Sequence, residues 1–102
     1  MVFDDRRRLA LVSGDRELMI ASARERAASG AWPQQTVIGL AGERVALMQM
    51  LWSGGPPDGR FEIEYLGVIE VDGAGLLTAI VIFDVDDRLV AQREAEMRSA
   101  RT

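Results

Sequence analysis

This 102-residue chain has no histidine, no cysteine and no lysine. Without cysteine there can be no disulfide, no thiolate metal site and no cysteine nucleophile. Without histidine the commonest general base and transition-metal ligand is gone, and a serine triad in its usual form is impossible. The lack of lysine excludes Schiff-base chemistry and a lysine base. All twelve basic residues are arginine, and against sixteen acids they leave a net charge of −4. Arg6-Arg7-Arg8 is the only basic cluster, so the chain lacks the basic stripe of a nucleic-acid surface. No segment approaches the roughly 18 to 20 apolar residues of a membrane span. The N-terminus Met1-Val2-Phe3-Asp4-Asp5-Arg6 has no signal-peptide core, so the expectation is a cytoplasmic protein with no membrane partner. No cofactor is implied.

What the chain does have is apolar sequence, 48% of its residues, with only three prolines. This is the composition of a globular protein. A domain of this length buries only roughly 60 to 70% of the surface its unfolded chain exposes, so association would help it. The most informative stretch runs from Phe61 to Asp87 and reads as a long β-hairpin turned at Asp72-Gly73-Ala74-Gly75. Its strands are apolar on both faces, as in Leu76-Leu77-Thr78-Ala79-Ile80-Val81-Ile82-Phe83. A sheet with one wet face would alternate, so this one calls for a cover on each side.

Upstream, Ser13-Gly14-Asp15 followed by Arg16 to Ala28 and Ser29-Gly30 has a cap-type start and a glycine stop, which predicts a helix. Met19, Ile20, Ala23 and Ala27 form its apolar stripe, suited to lie on a sheet. Strands are expected over Gln35 to Leu40 and Arg44 to Trp52, joined through Gly42. Asp86-Asp87 is read as the cap of a last helix, Arg88 to about Ser99. Residues 1–12 are a lead with a candidate helix through Arg6 to Val12, and residues 13–102 make the domain. The fold class is α+β: a curved four-stranded antiparallel meander packed by the preceding helix, with a short C-terminal helix.

Helix, four meandering strands and a short helix is an order similar to the C-terminal part of the cone-shaped SnoaL-like, or nuclear-transport-factor-2-like, fold. Phe61-Glu62-Ile63-Glu64-Tyr65, then Glu70-Val71-Asp72-Gly73, then Val81-Ile82-Phe83-Asp84-Val85-Asp86-Asp87 before a helix resemble the last strands of SnoaL-like domains of actinobacterial type. The resemblance covers most of the chain from Ser13, and its motifs are structural, so it specifies architecture far better than chemistry. The helices that usually open such domains have no counterpart here beyond Asp4 to Val12. The chain thus looks like a shortened member, whose exposed sheet face a partner subunit would cover or which would remain as a groove. The resemblance implies either a noncatalytic small-molecule-binding or dimerisation module, or a small isomerase, cyclase or hydrolase acting on a hydrophobic substrate.

For the enzyme reading the candidate groups are Asp84 or Glu64 as base and Tyr65 as hydrogen-bond donor, because a carboxyl buried among apolar groups becomes a usable base. Each has a plainer reading. Glu62 and Glu64 share one strand face and suit solvent, Asp84, Asp86 and Asp87 suit a strand end and helix cap, and Tyr65 suits a core or interface. The three aspartates lack calcium-loop spacing, and no metal is assigned. For the binding reading, Met48, Met50 and Trp52 share one face of their strand, and with Ile80 and Ile82 they are the candidate ligand contacts. A core or homodimer interface through the sheet would use the same residues. Ser53-Gly54-Gly55-Pro56-Pro57 leads into no helix and is a loop rather than a phosphate cradle.

Overall fold

In the computed structural model, the residues described are 1–8, 10–14, 17, 20, 21, 24, 28, 32–55 and 58–101. Six strands form one mixed sheet in the order β2-β1-β6-β5-β4-β3. They are β1 (Val2–Arg7), β2 (Ala10–Gly14), β3 (Trp32–Ala41), β4 (Val45–Gly54), β5 (Phe61–Val71) and β6 (Leu77–Phe83). A single 3-10 turn, Val85–Asp87, leads into the C-terminal helix Arg88–Arg101.

The chain is α+β, but the expected four-stranded antiparallel sheet is corrected. Strands β3 to β6 do run as an antiparallel meander. Beyond β6 the sheet continues with β1, which pairs parallel to it through Phe3↔Ile80 and Asp5↔Ile82, and then with β2 antiparallel. The helix expected through Arg6 to Val12 is therefore replaced by strand. Pairing across the sheet outweighs the local propensity of a charged, arginine-rich segment. Ser13 and Gly14, expected at the start of the next helix, belong to β2, where they pair with Asp4 and Phe3. Of the helix expected over Asp15 to Ala28, the described residues Glu17, Ile20, Ala21, Arg24 and Ala28 are helical. The rest of that helix, with Met19, Ala23 and Ala27 of its stripe, lies outside the described residues.

Strand alternation divides the sheet into two apolar faces. On one, Val45 and Leu47 of β4, Leu66 and Val68 of β5, and Val81 and Phe83 of β6 pack against Ala91 and Ala95 of the C-terminal helix. Val68, Val81 and Phe83 are the largest fully buried side chains, so this is the tightest part of the core. On the other face Phe3, Met50, Trp52, Tyr65 and Ile82 cluster with Met48, Phe61, Ile63 and Ile80. The cover of the first face is the C-terminal helix, with Asp86 and Asp87 in the 3-10 turn before it. Asp84 stands at the N-cap of that turn but makes no side-chain capping bond.

The β3–β4 reversal passes beneath the end of this helix. Gly42 has φ +65°, and a Cβ there would lie 2.5 Å from Ser99 Oγ. Gly42→Ala is expected to destabilise the protein by about 1–2 kcal/mol, through left-handed backbone strain and the forced turning away of the Ser99 hydroxyl. A urea midpoint equal to that of the parent would contradict this account. At the other hairpin Asp72 Oδ1 accepts the amides of Ala74 at 2.9 Å and Leu76 at 3.0 Å, while Gly75 supplies φ +81°. The aspartate and glycine of this turn thus satisfy its backbone and its geometry.

Candidate functional site

The apolar face away from the C-terminal helix contains a cavity of about 400 Å³. Its wall follows from the register. Met48 stands opposite Gly67, Met50 opposite Tyr65 and Ala46 opposite Ile69 across β4 and β5. Gly67 and Ile69 in turn face Ile82 and Ile80 of β6. Phe3 of β1, Gln35 of β3 and Leu77 complete the wall together with Trp52. Gly67 is the floor: no side chain rises between Met48 and Ile82, and the cavity keeps that space open. The volume lies within the range of small-molecule sites, which are mostly apolar with a few placed polar groups.

Those polar groups gather at the end where β5, β4 and β1 approach one another. Trp52 Nε1 donates to the Tyr65 hydroxyl at 2.9 Å, and both residues are buried. Over the Tyr65 ring lies the Arg7 guanidinium, its Cζ 5.0 Å from the centroid, within cation–π range. Arg7 is held from behind by Asp5. Its Nε and Nη2 donate to the two carboxylate oxygens at 2.9 and 2.6 Å, and its amide donates to Oδ1 at 3.1 Å. Asp5 is only 4% exposed, so a full bidentate partner is what allows its charge to stay buried. The hydrogen bond to Asp5 raises the Arg7 pKa above its ordinary value, helped by the fields of Asp5, Tyr65 and Asp84 and opposed by burial.

The sequence candidates separate in space. Met48, Met50, Trp52, Ile80 and Ile82 stand together in the cavity wall, and Tyr65 joins them. Glu64 lies on the opposite face of β5, exposed, where its Oε1 accepts Gln49 Nε2 at 2.7 Å. Asp84 is outside the wall, its Oδ2 accepting the Arg8 amide at 3.0 Å and facing the Arg8 guanidinium at 3.5 Å. Arg8 also donates to both oxygens of Asp86, at 2.7 and 2.8 Å, and pairs with Asp87 at 3.5 Å. The three aspartates have carboxylate oxygens within 4.8 Å of one another, and Arg8 supplies the positive charge that this cluster calls for. These are exposed contacts of the kind that contribute little to stability.

Asp5 and Arg7 escaped the sequence reading. Their signal was present: in Asp4-Asp5-Arg6-Arg7, each aspartate precedes an arginine by two residues, which on a strand puts opposite charges on one face. Read as a helix, the same residues point apart.

Compared with known proteins, the chain matches no family model and no curated protein. Among the described residues, no helix is long and apolar enough to cross a membrane.

Proposed function

We propose that this protein is a small-molecule-binding module of SnoaL-like type, and that it holds a hydrophobic ligand against the β4–β5–β6 face. The observation that supports this reading most is the 400 Å³ cavity with a hydrogen-bonded Trp52–Tyr65 pair at one end of a wall that is otherwise apolar except for Gln35. Binding is favoured over proton-transfer catalysis by where the acids stand. Glu64 faces away from the cavity, Asp84 is engaged by Arg8, and both oxygens of Asp5 are occupied by Arg7. A general base needs reach to the proton it removes, and these three carboxylates lack it.

The homodimer belongs to the same proposal. Val37 and Leu40 of edge strand β3 pair with Met48 and Ala46, and so extend the cavity face outward, yet they are 55% and 77% exposed. A second copy laid over this margin would cover them and narrow the mouth of the cavity. Native mass spectrometry of the purified protein tests both parts at once. The expected spectrum shows a dimer and, under gentle conditions, added mass from a retained apolar molecule or from added N-phenyl-1-naphthylamine. A monomer at micromolar concentration would end the dimer reading, and failure to take up the naphthylamine would end the binding one.

A further inference from the structure

The charges around the polar end of the cavity select among hydrophobic ligands, an inference that rests on the binding reading above. With no lysine or histidine in the chain, only an arginine side chain can attract an anion into the site. Among the described residues, the arginine against the cavity wall is Arg7, through its stack on Tyr65. Its guanidinium does not face the ligand as an open cation. Asp5 takes two of its donors in a bidentate pair, and Asp84 adds a second negative charge to its surroundings. Among the described residues, the remaining polar side chains on the cavity wall at this end are neutral, Tyr65 and Trp52, with Gln35 from β3. An incoming carboxylate would have to lose its water in an apolar cavity and would meet a cation already neutralised. That is a net cost. A hydroxyl or carbonyl on the same apolar body gives up far less hydration.

We infer that the cavity takes an uncharged amphiphile, with its polar end at Tyr65 and Trp52, and that Asp5 is the residue that sets this preference by occupying Arg7. Asp5 touches no ligand here; it acts through the arginine. Its removal as a charge would turn the same cavity towards carboxylates, because Arg7 would then lose its bidentate counter-charge and keep only the more distant field of Asp84, leaving its guanidinium fork to an anion. Asparagine keeps one oxygen to accept from Arg7 and so holds the side chain near its place.

The test is displacement of N-phenyl-1-naphthylamine by n-decanol and by sodium decanoate at neutral pH, two ligands with the same chain length and different head charge. The parent protein is expected to bind decanol at least about tenfold more tightly than decanoate. In Asp5→Asn the ratio is expected to move towards decanoate by about tenfold or more, and Asp5→Asn with Arg7→Gln should restore the preference for decanol. Equal affinities in the parent protein would overturn the inference without any variant, and would do so even if Asp5→Asn proved insoluble. An unchanged ratio in a folded Asp5→Asn protein would overturn the role of Asp5. If neither compound nor the naphthylamine binds the parent protein, it is the binding reading itself that fails.

Discussion

Glu94→Ala is expected to destabilise the protein by about 2–3 kcal/mol, somewhat below the roughly 3–5 kcal/mol typical when a buried pair loses one partner. The Glu94 side chain is only 5% exposed at the interface between the C-terminal helix and the sheet. It is reached by Arg6 Nη1 from β1 at 2.5 Å and by Arg98 Nε from the next turn of its own helix at 3.4 Å. Arg98 continues to Glu70 of β5 at 3.5 Å, whose other carboxylate oxygen accepts the Thr78 hydroxyl of β6 at 3.1 Å. One helix residue thus ties the parallel strand β1 to the centre of the sheet. Arg6 also lies over the Phe83 ring at 5.5 Å, which adds an aromatic contact to the same junction. The cost stays below the upper range because each arginine keeps another carboxylate, Asp4 at 2.8 Å for Arg6 and Glu70 for Arg98. Urea unfolding measures the loss, and Glu94→Gln should recover part of it by preserving shape and hydrogen bonding. A change below about 0.5 kcal/mol in Glu94→Ala, the scale of an ordinary surface substitution, would mean the network does not hold β1 in place.

The central hairpin was legible because its signal is local. Apolar residues on both parities between Phe61 and Phe83 imply two covers whatever the rest of the chain does. The identity of the first cover was hidden by the C-terminal helix itself, where the large apolar residues point the wrong way for a core stripe. Leu89, Val90 and Met97 are exposed, while Ala91 and Ala95 are buried. A helix that approaches a sheet closely buries its smallest side chains, so a search for large apolar residues at helical spacing finds the outer surface. Strand β1 was hidden for a different reason. Four of its six residues are charged, and its parallel partner lies far along the chain, with Val2 paired to Ala79 and Asp5 to Ile82. Nothing local in such a segment says strand. The ion pairs that make it tolerable in the sheet, Asp5–Arg7 on the cavity face and Arg6–Glu94 under the helix, become meaningful only after the pairing is known. The candidate site shows the same division. Its apolar wall could be read from alternation in β4 and β6, whereas its polar end depends on a strand contributed from the far end of the chain.

Gly67→Leu is expected to abolish uptake of an apolar ligand, lowering affinity for N-phenyl-1-naphthylamine at least about 100-fold, or about 2.7 kcal/mol. The position is central: Gly67 is buried between Met48 and Ile82 in the sheet and lines the cavity floor. The backbone accepts a side chain there. Its conformation is not among those with positive φ, and an added Cβ would meet only Ile69 Cδ1, at an ordinary contact distance of 3.8 Å. Leucine at this point would therefore extend into the space that the glycine leaves open and occupy the place of the ligand. Stability should be unchanged or higher, because glycine inside a strand gives up backbone entropy without contributing packing, and filling a cavity with apolar atoms is a common route to stabilisation. The two readouts together distinguish the possibilities. Lost binding with a retained or raised urea midpoint places the ligand on the β4–β5–β6 face. Full binding in the variant would move the ligand elsewhere, and a large loss of stability would mean that the space above Gly67 is already filled in the native protein, which would remove the cavity from which the binding function is argued.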